Sequence, residues 1–297
     1  MPTFDTPTPI TAILALVAAD VTVIATDRSD TVVAVHPQEP DRKADVRMVE
    51  QTQVEFSNGR LTIKSPKQLA VKFGKPGVIN VTIELPAGSA VQGDSGMGQL
   101  NCNGRLGDVA YKTGYGDLRV ETAASAQLGS GFGAIHLQHA GTARLSTGGG
   151  DITVDDASGD AQVSTSVGVL RVRRVDGRAT VKNSSGETWI GEVTGALSAS
   201  SAAGSITIDR SQSDVTAKTA YGAIRVGEAT RGELVLETSA GELSVGVPQG
   251  TAAWLDVNSS FGRIRNTLEA SDDPGQAGNV VKVRARTHAG DIVIHRS

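Results

Sequence analysis

Few residues in this chain have the type and spacing that chemistry requires. Gly93-Asp94-Ser95-Gly96 is the loop a serine nucleophile would occupy, but that chemistry also needs a histidine and a carboxylate arranged around the hydroxyl. Gly148-Gly149-Gly150-Asp151 has the look of one calcium-binding turn, a motif that works only when repeated every nine residues. Acids recur at Asp117, Asp151, Glu187, Glu242 and Asp291, too far apart to build cation sites, and they are read as turn polarity. Five histidines, His36, His136, His139, His288 and His295, do not share a spacing that would hold a metal. The lone Cys102 excludes an intrachain disulfide and a thiolate metal site. No phosphate-binding loop and no HExxH helix is present. Catalytic residues, metal ligands and cofactor-binding residues are therefore all expected to be none.

What remains is a set of outward side chains suited to contact. Arg119, Arg171, Trp189, Arg225 and Arg265 fall on one column of the pattern described below. Tryptophan beside arginine is the pairing most enriched at the energetic centres of interfaces. The bland alternative is a ring lying flat over its neighbours' aliphatic stems. These five residues are the candidate interaction face.

The elements that position them come from a repeat. Glycines at 98, 116, 133, 150, 168, 186, 204, 222, 241, 262 and 290 are separated by 18, 17, 17, 18, 18, 18, 18, 19, 21 and 28 residues. Two and four residues after each glycine stand apolar, mostly β-branched side chains, as in Ile152/Val154, Leu170/Val172 and Ile224/Val226, with polar residues between. That alternation is a half-buried strand. A second alternating pair precedes the glycine, and its members trade size: Ala161/Val163 and Ala179/Val181 against Leu197/Ala199 and Val215/Ala217. Constant volume per repeat is what a close-packed interior demands. Three residues before the glycine stands Ser or Thr, from Ser95 to Thr287, with Asn183 the exception; a hydroxyl there can satisfy turn backbone groups. Ser95 belongs to this ladder, so the repeat accounts for it without catalysis.

One repeat cannot bury its own apolar face, so the units must stack, each strand pairing in parallel with the one about 18 residues on. The expected fold is all-β, a single-chain parallel β-helix (β-solenoid) with about eleven regular rungs. Residues 93–297 would form the repeats, with a polar loop at 269–279, and residues 1–92 a β-rich region capping and continuing them. Strand candidates there are 10–17, 20–26, 31–35, 46–56, 60–64 and 78–85. The inward columns do not recur every six residues, which excludes a hexapeptide coil, and right-handed crossovers are the expectation.

The opening FDTPTPITAILALVAADVTVIATDRSDTVVAV, followed by these glycine-led rungs, resembles a bacterial β-strand-repeat family of unknown function, often labelled "putative adhesins". The resemblance covers essentially the whole chain. It implies a β-helix, no established enzymatic activity and no agreed functional residues.

Composition narrows the partners. Of 297 residues, 28 are Lys or Arg and 32 Asp or Glu, a net charge of −4, which supplies no footprint for nucleic acid. Aromatics at 3% are thin for a cofactor pocket, and no cofactor is expected. The apolar stretch from Ile10 to Ala19 is too short to span a bilayer and lacks a basic leader, so a cytoplasmic chain without an integral membrane segment is expected, export not being excluded. The reading is a non-enzymatic scaffold or binding module with an unknown protein or glycan partner. The alternatives are a polysaccharide-active β-helix enzyme, which would need clustered acids, and a self-assembling structural protein. The charged end His295-Arg296-Ser297 would oppose stacking through that end.

Overall fold

The computed structural model describes residues 2–66, 77–268 and 279–297. The expected loop at 269–279 lies outside them except for Asn279, which begins a strand. The chain forms two compact units, Met1–Gly149 and Gly150–Ser297. The second is built of strands paired in parallel; the first adds to its parallel strands three antiparallel pairings and one helix.

The first unit contains β1 (Thr3–Asp5), β2 (Thr11–Thr26), β3 (Asp30–Pro37), α1 (Lys43–Gln51), β4 (Gln53–Ser57), β5 (Arg60–Lys64), β6 (Ile79–Pro86), β7 (Ala90–Met97), β8 (Leu100–Tyr115), β9 (Leu118–Phe132) and β10 (Ile135–Gly149). The repeat pattern dictates its regular part: Leu100 faces Leu118, which faces Ile135. The β-rich start is organised differently. β2 is one 16-residue strand where the alternation suggests two, and its inward phase slips by one at Ala18 and Ala19, both buried. Its first half lies between β5 and β7, its second between β6 and β8, all parallel. The first long strand of the chain is thus an interior strand. β3 and β4 cover β6 and β5 as antiparallel strands, and β1 pairs antiparallel with β3.

The strand expected over 46–56 is corrected by the structure to α1 followed by β4. The buried positions are Asp45 and Met48, three apart, which is helical and not alternating spacing. Asp45 fixes the turn: its carboxylate accepts from the Glu39 N–H (3.1 Å) and the Val78 N–H (3.0 Å) and meets the Arg42 guanidinium (3.2 Å). Of these partners Val78 is long-range, and no local pattern announces it.

The second unit contains β11 (Ile152–Ala157), β12 (Ala161–Val167), β13 (Leu170–Val175), β14 (Ala179–Ser185), β15 (Thr188–Val193), β16 (Leu197–Ala203), β17 (Ile206–Ser211) and β18 (Val215–Tyr221). It continues with β19 (Ile224–Ala229), β20 (Gly232–Ala240), β21 (Leu243–Val247), β22 (Thr251–Phe261), β23 (Ile264–Asn266), β24 (Asn279–Ala289) and β25 (Ile292–Arg296). Even strands from β12 to β20 stack on even and odd strands from β11 to β21 on odd, so Leu170 faces Ile152 and Thr188, and Ala179 faces Ala161 and Leu197. The inward columns are sealed: Ile152, Leu170, Ile224, Leu243 and Ile292 are all fully buried. The size-trading pairs are buried together, as expected for constant rung volume.

The last repeats depart from chain order. β24 pairs with β20 on one side and β22 on the other, and β25 sits likewise between β21 and β23. The final segment is inserted beneath the one that precedes it. The expectation that each repeat stacks on its sequence neighbour is corrected here. So is the idea that His295-Arg296-Ser297 forms the stack's end: Gly246 and Val247 face His295 and Arg296, whose guanidinium donates to the Pro248 and Thr251 carbonyls.

The rung glycines set the stacking distance. At Gly204 (φ +154°) a Cβ would lie 2.0 Å from the Gly186 carbonyl oxygen, so only hydrogen fits. Gly250 has φ +77° and open space around it. Gly204→Ala is expected to cost at least ~3 kcal/mol, from strained backbone plus displacement of the rung below, against ~1 kcal/mol for Gly250→Ala. Urea denaturation of both variants measures the difference; equal costs would show that the close contact does not set the stack.

Candidate interaction surfaces

The outward column three residues after each rung glycine is built by strand alternation alone. In the second unit Arg171 faces Trp189, Trp189 faces Thr207, and Thr207 faces Arg225. The structure therefore brings Arg171, Trp189 and Arg225 onto one face. Arg265 is on that column but further off, because Ser244 and Val293 intervene through the inserted β25. Arg119 lies in the first unit between Asn101 and His136, its guanidinium 3.4 Å from Asp117. Arg171 and Arg225 are exposed. Trp189 is half-buried, not exposed: its Nε1 donates to Asp209 (3.1 Å), and its ring lies over Gly191, where a Cβ would come within 3.2 Å of the indole.

The turn residues singled out for chemistry are accounted for by the backbone. The hydroxyl three residues before a rung glycine donates to the glycine carbonyl of the neighbouring rung: Ser130 to Gly116 (3.0 Å) and Thr147 to Gly133 (3.1 Å) in the first unit, Thr219 to Gly204 (3.1 Å) and Thr238 to Gly222 (3.1 Å) in the second. Ser95 is buried in the same ladder and donates to Thr113 (3.0 Å). The acids after the glycine accept a neighbouring turn's N–H: Asp117 from Ala134 (2.9 Å), Asp151 from Val169 (2.8 Å) and Asp291 from Arg263 (2.8 Å). Among the described residues no group of three or more His, Cys, Asp or Glu could hold a metal. His288 stands edge-on to Phe261 (5.2 Å), and His295 binds the Arg296 carbonyl (2.8 Å). Cys102 is fully buried, and burial pushes its thiol up to about 12.

A different column holds the exposed apolar surface. Of nine large hydrophobic side chains exposed among the described residues, six stand immediately before a rung glycine. In the first unit these are Met97, Tyr115 and Phe132 on successive rungs, with the Tyr115 and Phe132 rings stacked at 5.4 Å. Phe132 then leans on Gly149, where a Cβ would come 3.0 Å from the ring. In the second unit they are Val167, Tyr221 and Phe261. The sequence signal was available one position from the glycine, but the inward columns drew the alignment. Trp254 is also exposed, on β22. Beside these, a shallow groove of about 580 Å³ in the second unit is lined by Lys218, Glu237, Asn258, Arg286, Thr287 and His288.

One rung breaks two rules at once. Asn183 replaces the ladder hydroxyl and Thr188 the aliphatic residue after the glycine, both buried and 3.4 Å apart. The Asn183 amide donates to the Gly168 and Gly186 carbonyls (both 3.0 Å), taking the acceptor that Ser201 would use. Ser201 Oγ and Asn183 Oδ1 are left buried without partners.

A family model described as Toastrack DUF4097 matches residues 13–295. No curated protein matches the chain. Three solved structures align along it. A "putative cell adhesion protein" from Clostridium sporogenes shares 9% identity over 100% of this chain and 98% of its own, with a TM-score of 0.21. A "putative adhesin" from Bacteroides fragilis shares 13% over 99% and 95%, with a TM-score of 0.28. A "putative adhesin" from Parabacteroides merdae shares 10% over 98% and 94%, with a TM-score of 0.39. Scores this low carry no inference about this chain.

The doubly substituted Asn183→Thr/Thr188→Ile chain, which restores the repeat, is expected to be more stable by ~1–2 kcal/mol, because two orphaned polar atoms are removed or paired. Chemical denaturation checks this; a loss of stability would show that the polar rung is a stabilising feature.

Proposed function

This chain belongs to the Toastrack DUF4097 family, and from that premise we propose that it is a non-enzymatic scaffold and binding module. The observation that carries the reading is the recurrence of exposed Met, Tyr, Phe and Val at one position of the repeat. Single exposed apolar residues on a soluble protein need no explanation. The concentration of six of them on one column does, above all in the first unit, where Met97, Tyr115 and Phe132 are contiguous, because contiguous exposed apolar surface marks contact sites. A parallel ladder holds those three at fixed separations of about 4.8 Å, so little order has to be imposed when a partner binds; in the second unit Val167, Tyr221 and Phe261 are spaced by two intervening rungs each.

The finer architecture in this proposal is a parallel β-helix of about eighteen residues per rung with about eleven regular rungs. Residues 93–297 carry the repeats and residues 1–92 the capping and continuation. The lateral face of Arg171, Trp189 and Arg225 is the second contact surface, with Arg119 and Arg265 extending the same column. The partner's identity, protein or glycan, is set by these side chains. The seats of the candidate chemical motifs favour a non-catalytic role, since the Ser95 hydroxyl is engaged with that of Thr113 and the carboxylates of Asp117, Asp151 and Asp291 with backbone N–H groups.

Affinity capture from the native cell with four baits tests this: the unaltered chain, Tyr115→Ser/Phe132→Ser, Tyr221→Ser/Phe261→Ser and Arg171→Ala/Trp189→Ala. All four should melt alike, since the altered positions lie outside the sealed columns. The expected result is loss of specific partners from at least one altered bait. Identical profiles from all four would remove both surfaces from consideration, and turnover of a polysaccharide by the unaltered chain would overturn the non-enzymatic reading.

A further inference from the structure

Among the described residues, nothing covers the last rung of the second unit. Within its ladder each rung glycine and the residue two beyond it donate their N–H groups to the next rung. Gly222 and Ile224 donate to Ala240 and Glu242, Gly241 and Leu243 to Ala289 and Asp291, and Gly290 and Ile292 to Phe261 and Arg263, all at 2.9–3.0 Å. The next donors in the series are Gly262 and Ile264. Among the described residues they have no acceptor. The interior is open at the same place. Ile264 is 46% exposed where Ile292, its neighbour in the stack, is fully buried. Leu255 and Val257 on β22 are only half-buried, while their partners Val283 and Ala285 are sealed. An uncovered strand edge with apolar residues on its inner face is a template for a further strand.

Charge selects the occupant. Ion pairs between stacked strands of this unit join opposite signs: Lys218 with Glu237 (2.8 Å), Arg210 with Glu228 (3.1 Å), Arg284 with Glu233 (3.1 Å) and Arg286 with Asp256 (3.5 Å). On the open strand β23 the outward side chain is Arg265, and Arg263 stands immediately before the strand; both are exposed. Arg265 reaches back to Asp291 at 4.0 Å, and the Arg263 guanidinium has no ion pair among the described residues. A second copy joined by a two-fold axis would set β23 antiparallel to itself and bring these arginines face to face, which is destabilising. A strand with acids outward and apolar residues inward completes both the ladder and the charge pattern. We propose that the open edge at residues 263–266 is a strand-addition site for an extended segment of another protein, alternately apolar and acidic. It is separate from the glycine-adjacent column and from the Trp189 face. Such addition draws affinity from main-chain hydrogen bonds and specificity from alternate side chains.

The test is fluorescence anisotropy with the full chain and three labelled synthetic nonapeptides, alternating valine–glutamate, valine–lysine and serine–glutamate. The valine–glutamate peptide is expected to bind saturably and at least about tenfold more tightly than either other. Arg263→Glu/Arg265→Glu should invert the preference between glutamate and lysine, Ile264→Lys should abolish valine–glutamate binding, and Trp189→Ala should leave it unchanged. Thermal melts confirm that each variant is folded. Equal binding of the two valine peptides, or binding indifferent to Ile264→Lys, overturns the proposal. So does light scattering that shows a dimer broken by Ile264→Lys, since a second copy would then occupy the edge.

Discussion

Everything in this fold depends on one close contact. Where a rung turns, the glycine of one coil sits so near the glycine carbonyl of the coil beneath that no side-chain carbon fits between; at Gly116 a Cβ would stand 2.0 Å from the Gly98 oxygen. That approach brings neighbouring strands to ladder distance. It also exposes a carbonyl to the inside of the turn, which the Ser or Thr three residues earlier satisfies. The acid after the glycine then caps the neighbouring turn from outside. Glycine, hydroxyl and carboxylate are three parts of one solution to the problem of leaving no backbone group unpaired at a tight corner.

With the corner fixed, the rest follows from alternation. Side chains on either side of the corner point inward or outward by parity, the inward ones trade volume rung by rung, and the outward ones form straight columns. The residue just before the glycine points outward at the corner, which is why Tyr115, Phe132, Tyr221 and Phe261 are exposed although aromatic. A solenoid of this kind has little freedom to form a deep cleft, and its specificity has to be written on columns and ends.

Much of this was legible because the repeat is local: period, inward columns and hydroxyl ladder are all relations within about twenty residues. What was hidden is long-range. Identical-looking repeats do not say which of them lies next to which, and a parallel strand takes any neighbour that presents the right columns. Hence β2 lies between segments that follow it by dozens of residues, and β24 and β25 enter beneath β22 and β23. The short helix α1 is hidden in part for the same reason, since its buried Asp45 is held by the N–H group of Val78, 33 residues on, as well as by that of nearby Glu39. Trp189 was placed on the correct column, but its half-burial depends on Gly191 and Asp209, whose roles appear only when the coils are stacked. The paired exceptions Asn183 and Thr188 are visible singly as departures from the pattern; that they meet inside one rung is not.

The central claim is a glycine-cornered stack whose spatial order differs from chain order at its last rungs. Disulfide trapping of cysteine pairs tests it most directly. Glu233 faces Lys282, and Lys282 faces Trp254, so the pairs Glu233→Cys/Lys282→Cys and Lys282→Cys/Trp254→Cys should each cross-link quantitatively under mild oxidation, while Glu233→Cys/Trp254→Cys should not. Cross-linking of the Glu233–Trp254 pair, with the other two silent, would show that the repeats stack in chain order and would contradict the account.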